Sequence, residues 1–72
     1  MKRTRVTHYK TLVARMNERG LSYEGLARTL GVALGTINNR MRGNTPWTLD
    51  EAIRTAQALE WEGKIEELFR WE

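Results

Sequence analysis

The stretch of sequence that decides the fold runs from Leu21 to Gly43 and reads LSYEGLARTLGVALGTINNRMRG. Its apolar residues recur at helical spacing in two short groups, which are separated by Gly31. Ser22 is a good residue to begin the first helix, and a glycine with positive φ ends such helices well. The stretch therefore predicts two short amphipathic helices joined by a tight glycine turn, the second covering about residues 33–42.

The flanking sequence predicts three further helices. Apolar residues at positions 9, 12, 13 and 16 form one helical stripe that ends near Gly20, with Thr7 as the expected cap. Thr48-Leu-Asp-Glu51 is a capping box, which begins a helix. That helix carries an apolar stripe that we expect to be buried, made of Leu49, Ala52, Ile53, Ala56 and Leu59. A last helix covers about residues 63–71, so the sequence predicts a compact all-α domain of five helices with no strand.

Length and composition exclude several classes of protein. The chain has 72 residues, no cysteine and a single histidine, His8. These numbers predict one small domain with no disulfide, no metal site and no histidine-based catalysis. No apolar run approaches the ~18 residues of a membrane span, and no apolar segment follows the basic start. We therefore expect a cytoplasmic protein that is not an enzyme, binds no membrane and needs no cofactor.

Charge is distributed unevenly along the chain. Residues 1–45 carry nine basic and two acidic side chains, whereas residues 46–72 carry three basic and seven acidic ones. Lys2, Arg3 and Arg5 form a basic N-terminal arm over residues 1–6, which precedes the domain of residues 7–72. A basic front half favours a polyanion as the partner, docked on one side of the domain.

The third predicted helix has the chemistry of a helix that reads DNA bases. Ile37 and Met41 lie on the stripe that we expect to face the core, and Asn38 and Asn39 lie away from it. An asparagine amide pairs bidentately with adenine N6 and N7 in the major groove. Two successive asparagines are poor helix formers, which favours a functional reason for them. The alternative is an ordinary helical hairpin with a solvated face.

At this point the chain resembles a known family, the lambda-repressor-like, or Cro/C1-type, helix-turn-helix proteins. The resemblance rests on the pattern Gly-Leu-Ser-x-x-x-Leu-Ala-x-x-Leu-Gly-Val over residues 20–32, with Thr36-Ile37, Met41-x-Gly43 and Trp47-Thr-Leu-Asp-Glu51 following it. It covers residues 9–69 and is closest to the phage-type subgroup of small regulators. It implies a five-helix domain with helix-turn-helix at helices 2 and 3. It also implies a bacterial or phage-encoded transcriptional regulator that binds double-stranded operator DNA, as a homodimer on a palindromic site.

The resemblance also implies which residues touch DNA. The expected base contacts come from Leu34, Gly35, Thr36, Asn38 and Asn39. The expected phosphate contacts come from Ser22, Tyr23, Arg40, Arg42 and Asn44. Leu34 has two interpretations, a core residue by its spacing and a thymine-methyl contact by its family position.

Three positions depart from the family's pattern. Tyr23 replaces a glutamine that commonly braces a phosphate, so its hydroxyl either donates to phosphate or its ring packs on the protein. Ala33 replaces a capping serine or threonine, which predicts a weakly capped third helix. Gly35 replaces a polar base-reading residue and offers only a close approach of the backbone, at a cost of roughly 1 kcal/mol in helix stability.

The C-terminal region is the expected homodimer interface. Trp61, Trp71 and Phe69 supply the aromatic surface that a small symmetric interface would use, and we expect it to lie away from the basic DNA face. The alternative is that the tryptophans cap the monomer core. Two other functions remain open on the same fold, an antitoxin of a toxin–antitoxin pair and a protein-interaction module.

Overall fold

The computed structural model describes residues 7–72, which form a helical domain measuring 36 × 24 × 23 Å. Its five helices are α1 (Lys10–Arg19), α2 (Tyr23–Leu30), α3 (Leu34–Arg42), α4 (Leu49–Ala58) and α5 (Ile65–Leu68). No residue between 7 and 72 lies in a strand. The prediction of an all-α domain with five helices is confirmed. The basic arm that we predicted over residues 1–6 lies outside the described residues.

Local capping chemistry sets where α2 and α4 begin. The Ser22 hydroxyl accepts a hydrogen bond from the Gly25 backbone N–H at 3.0 Å. The predicted capping box is complete, because Thr48 Oγ1 accepts from the Glu51 N–H at 3.1 Å and Glu51 Oε1 accepts from the Thr48 N–H at 3.1 Å. Each bond satisfies a backbone donor that the first turn of a helix leaves without a partner.

Glycines end the first three helices. Gly20, Gly31 and Gly43 have φ values of +67°, +72° and +83°. A residue with a Cβ is disfavoured at such angles, so glycine stops each helix at low cost. Gly31 opens the turn of residues 31–33, after which α3 packs directly on α2.

A small core lies where the five helices meet. Its members are aliphatic or sulfur-containing residues with at most 5 % of their surface exposed. They are Leu12, Met16, Leu26, Ala27, Leu30, Ile37, Met41, Ala56, Leu59 and Leu68. Every helix contributes at least one of them, and α3 contributes only Ile37 and Met41. The position of α3 therefore depends on a narrow apolar stripe, as its sequence predicts.

Aromatic rings cover one end of this core. Tyr9 packs edge-on against Trp47, Phe69 and Trp71, with ring centroids 6.4, 6.3 and 5.0 Å apart. Trp47 and Phe69 pack on each other at 5.1 Å. Edge-to-face geometry is favourable for aromatic pairs. The cluster joins the start of α1, the loop before α4 and the C-terminal tail.

The structure corrects three of the sequence-based expectations. Thr7 does not cap α1, because Tyr9 occupies the N-cap position. The Thr7 hydroxyl accepts from the Tyr9 N–H at 3.1 Å and donates to the Met41 carbonyl at 2.7 Å. The last helix spans only residues 65–68, and the tail turns back so that the Glu72 N–H donates to the His8 carbonyl at 2.8 Å. The stripe on α4 is only partly buried, since Leu49 and Ile53 are 74 % and 40 % exposed.

Glu60 holds an unusual backbone conformation after α4, with φ at +55°. Its side chain pairs with Arg19 at 2.7 Å, an exposed contact. Arg15 donates to the carbonyls of Leu59 and Glu60 at 3.1 and 3.2 Å. These contacts from α1 hold the end of α4 in a geometry that glycine adopts more easily.

We expect Glu60→Gly to raise the free energy of unfolding by about 1 kcal/mol relative to Glu60→Ala, because alanine keeps the strain of a positive φ and glycine removes it. Both variants lose the same exposed ion pair, which is worth at most about 1 kcal/mol. Urea unfolding of the two variants measures the difference directly. An alanine variant as stable as the glycine variant would show that the backbone at this position carries no strain.

Candidate nucleic-acid interface

The outward face of α3 is a stripe of three exposed residues. Gly35, Asn39 and Arg42 lie at i, i+4 and i+7, opposite the buried pair Ile37 and Met41. The helix has nine residues and is roughly 13.5 Å long. Its exposed face is polar and carries no acidic side chain. The arrangement presents one amide, one guanidinium and a bare stretch of backbone to solvent.

Three further residues flank this stripe. Leu34, Thr36 and Asn38 are half-buried. Leu34 is not among the partly buried hydrophobic residues that pack on the core. Of its two interpretations, the core role is therefore the less well supported. Asn38 lies beside Leu34 on one side of the stripe and Thr36 lies on the other.

The start of α3 has no side-chain cap. Ala33 takes the N-cap position in an extended conformation, with φ −73° and ψ 153°, and offers no acceptor to the first turn. The weak cap that the sequence predicts is thus present. Helix N-termini of this kind favour anions, because backbone N–H groups and the helix dipole both point toward them.

The start of α2 combines a capping hydroxyl with a packed ring. Ser22 uses its oxygen as an acceptor for Gly25, which leaves its hydroxyl hydrogen available as a donor. The ring of Tyr23 is half-buried and packs against the core. Of its two interpretations, packing is the one that the structure shows directly.

Arg40 is held inside the domain. Its Nε and Nη2 donate to the two carboxylate oxygens of Glu51 at 2.8 and 3.0 Å, and its Nη1 donates to Thr45 Oγ1 at 2.7 Å. The side chains of Arg40 and Glu51 are only 17 % and 12 % exposed. This bidentate pair joins the last turn of α3 to the first turn of α4. Arg40 was expected at a DNA phosphate, and most of its donors already have partners within the protein.

The pair shifts the proton affinities of both groups. The hydrogen bonds from Arg40 lower the pKa of Glu51 below its ordinary 4.5, against an opposing effect of burial. The bond to Glu51 likewise raises the pKa of the Arg40 guanidinium. Sequence reasoning missed this contact, because opposite charges eleven residues apart across a loop give no periodic signal.

Other cations remain available to an anionic partner. Within residues 7–72, four cations pair with a carboxylate, namely Arg15, Arg19, Arg40 and Arg54. Five make no ion pair, namely Lys10, Arg28, Arg42, Lys64 and Arg70. Arg42 lies in the last turn of α3. Asn44 follows that helix, is exposed and makes one long hydrogen bond of 3.5 Å to Asn39 Oδ1.

The aromatic residues expected at a dimer interface have contacts within the monomer. Trp61 packs against the core and its Nε1 donates to the Lys64 carbonyl at 2.9 Å. Phe69 belongs to the aromatic cluster. These contacts match the alternative in which the rings cap the monomer core.

Trp71 lies against the end of α3 and not away from it. A Cβ placed on Gly43 would lie 2.5 Å from Cη2 of Trp71, so the indole covers that glycine directly. Its ring centroid is also 4.5 Å from that of His8, and half of the residue is exposed. The end of α3 is thus enclosed by both ends of the domain.

Two searches within residues 7–72 concern other kinds of site. No group of three or more His, Asp or Glu side chains is arranged to hold a metal ion. None of the helices there is long and apolar enough to cross a bilayer.

Comparison of the chain with protein-family models, curated proteins and solved structures finds no match. The function is therefore argued from the chemistry of the α3 surface.

We expect Glu51→Gln to lower the free energy of unfolding by about 2 kcal/mol at pH 7, because it leaves the Arg40 guanidinium without its charged partner. The pKa of Glu51 is lower in the folded protein, so the stabilisation is present above about pH 4.5 and is lost as pH falls further. Urea unfolding at pH 7 and pH 3 measures both effects.

The matched control is Asp50→Asn on the same helix turn. Asp50 is 78 % exposed and lies 3.8 Å from Arg54, so its removal should cost at most about 1 kcal/mol. Equal losses in both variants would mean that the Arg40–Glu51 pair contributes no more than a surface contact.

Proposed function

We propose that this protein is a sequence-specific DNA-binding transcriptional regulator of the repressor or Cro-like kind. In this proposal α2 and α3 form a helix-turn-helix unit, and α3 enters the major groove of a palindromic operator. The protein acts as a homodimer on bacterial or phage DNA in the cytoplasm. One observation carries the proposal: the exposed face of α3 consists of Gly35, Asn39 and Arg42, while the opposite face is fixed in the core.

The side chains of this face divide between two tasks in DNA recognition. Asn39 is exposed and presents both an amide donor and an acceptor, the pair that adenine N6 and N7 require. Arg42 has no ion pair within residues 7–72 and suits a phosphate, which fixes position without reading sequence. Ser22 and the uncapped first turn of α3 offer further donors to phosphate oxygens.

Gly35 supports the proposal in a different way. A Cβ built at this position meets no atom within 4 Å, so packing inside the protein does not require glycine there. Glycine within a helix costs roughly 1 kcal/mol relative to alanine. In the proposed complex, base edges in a groove ~12 Å wide approach the helix backbone closely. Such an approach requires a residue without a side chain, which explains the glycine despite its cost.

The test is selection of duplexes from a random-sequence library, followed by affinity measurements across salt concentrations. We expect one enriched sequence, and a plot of log K against log salt with a slope near −0.9 per phosphate neutralised. Equal affinity for every duplex, or a flat response to salt, would favour a protein-interaction module on the same fold. The exposed Leu49 and Ile53 are the feature that would suit such a module.

We expect Asn39→Ala and Arg42→Ala to have different effects on DNA binding. Loss of the Asn39 amide should reduce discrimination at one base pair by ~1–3 kcal/mol, whereas loss of the Arg42 charge should weaken binding to all duplexes and lower the salt slope by about one phosphate. Affinities for the selected duplex and its single-base variants at three salt concentrations separate the two effects. Lys64→Ala, an exposed cation before α5, is the control and should change neither. If Asn39→Ala keeps the full base preference, Asn39 is not a base-reading residue.

We expect Gly35→Ala to stabilise the fold and weaken DNA binding at once. The added methyl improves helix propensity, so the free energy of unfolding should rise by about 0.5–1 kcal/mol. The same methyl should hold the helix away from the bases and lower affinity for the selected duplex. Thermal unfolding and DNA titration of one preparation measure both. A variant with unchanged affinity would place Gly35 outside the DNA contact.

A further inference from the structure

The turn that ends α3 holds Asn44 beside Asn39. The Asn44 N–H donates to the Asn39 carbonyl at 3.0 Å. The preceding residue, Gly43, has a positive φ, and its N–H donates to the Arg40 carbonyl at 3.1 Å. These two bonds around a left-handed glycine form a Schellman motif, which satisfies carbonyls that the last turn of a helix leaves without partners. The backbone of Asn44 is therefore tied to the helix at Asn39.

Packing holds this turn as well as hydrogen bonding. The indole of Trp71 lies over Gly43, so closely that a Cβ on that glycine would be 2.5 Å from Cη2 of the ring. The tail that carries the indole is itself fixed, because the Glu72 N–H donates to the His8 carbonyl at 2.8 Å. The turn after α3 is thus covered by a side chain that the rest of the domain keeps in place.

The same turn brings two side-chain amides together. Asn44 Nδ2 donates to Asn39 Oδ1 at 3.5 Å. A bond of this length contributes little stability, but it gives the Asn39 amide a direction, with its oxygen toward Asn44 and its nitrogen away from it. A solvated amide has no such direction, because rotation by half a turn exchanges its donor and its acceptor.

The direction of an amide matters when it reads a base. Adenine presents an N6 donor and an N7 acceptor in a fixed order, whereas guanine presents two acceptors. In its bond with Asn44, Asn39 Oδ1 uses one of two lone pairs and Nδ2 uses neither of its hydrogens. Asn39 can therefore accept from adenine N6 and donate to N7 while this bond is kept. A reversed amide would place donor against donor and acceptor against acceptor.

We propose that Asn44 orients the amide of Asn39 and thereby strengthens the preference of α3 for one base. Asn44 is then a positioning residue, a role beyond the phosphate contact expected from the sequence. The inference rests on the proposed function and deepens it, since it names the residue that sets how the base-reading side chain is presented. The turn at Gly43 and the indole above it keep Asn44 where it can do so.

The first experiment needs no DNA. Nuclear magnetic resonance relaxation of the side-chain NH₂ groups reports how freely each asparagine amide moves on the ps–ns timescale. In the wild-type chain the Asn39 amide should be more ordered than that of Asn17, an exposed asparagine of α1. Asn44→Ala should remove this difference, whereas the control Asn17→Ala should leave the Asn39 amide unchanged. An Asn39 amide that is equally mobile with and without the Asn44 side chain would overturn the proposal.

The second experiment measures base preference on the duplex recovered by selection. The relevant base pair is the one at which Asn39→Ala loses discrimination. There, Asn44→Ala should reduce the preference for the selected base by about two- to tenfold, the effect of one hydrogen bond. Asn44→Asp has the same shape but only acceptors, so it should bind the Asn39 nitrogen, reverse the amide and reduce the preference at least as much. Preference is a ratio of affinities, so the uniform repulsion from the added charge cancels. The control Asn17→Ala should retain the full preference.

A double-mutant cycle separates positioning from direct contact. If Asn44 acts through Asn39, adding Asn44→Ala to Asn39→Ala should change the base preference by less than about twofold. A further loss of preference in that background would show that Asn44 reads the base itself, contrary to the proposal. Equal loss of affinity on all duplexes with the preference intact would make Asn44 a phosphate contact only, which also contradicts it. If no duplex is enriched, the proposed DNA function fails and the base preference with it, whereas the relaxation measurement still decides whether Asn44 orients the Asn39 amide.

Discussion

The position of α3 depends on the bidentate pair between Arg40 and Glu51. Only Ile37 and Met41 fix this helix to the core, and both lie on one narrow stripe. The ion pair adds a directional contact to α4, and the same glutamate closes the capping box with Thr48. One carboxylate thus caps the start of α4 and joins it to the last turn of α3. Because α3 is held from this side, its opposite face, which carries Gly35, Asn39 and Arg42, is left exposed.

Both ends of the described chain reinforce the end of α3. Thr7 donates to the Met41 carbonyl, and Trp71 covers Gly43. The Glu72 N–H donates to the His8 carbonyl, which joins the two ends of the domain to each other. Gly43 therefore meets two demands, a positive φ and the absence of a Cβ beneath the indole. The α3 helix is held firmly at its C-terminal end and only lightly at its uncapped start.

Local signals predicted the helices well, and long-range contacts account for what they missed. Ser22, the capping box of Thr48 and Glu51, and the helix-ending glycines depend on neighbours within four residues, so the sequence reveals them. Arg40 and Thr7 instead satisfy their polar groups through contacts 11 and 34 residues away. The spacing of apolar residues also predicts the apolar stripe of α4, but it does not show how much of that stripe the neighbouring helices cover. The helices that meet α4 cover Ala52, Ala56 and Leu59 and leave Leu49 and Ile53 exposed.

Several positions that break local rules lie on the surfaces of α3 and α4. A glycine lies within α3 where nothing crowds it, two asparagines follow in the same helix, and alanine takes its N-cap position. On α4, two apolar side chains face solvent. In the core, by contrast, most residues are apolar, although Thr55 is fully buried and its hydroxyl oxygen has no hydrogen-bond partner. Natural sequences depart from local preference mainly where function requires it, and the cost is offset elsewhere in the structure. Here the Arg40–Glu51 pair and the indole of Trp71 hold the C-terminal end of α3, while the exposed face of that helix carries the residues that local preference disfavours.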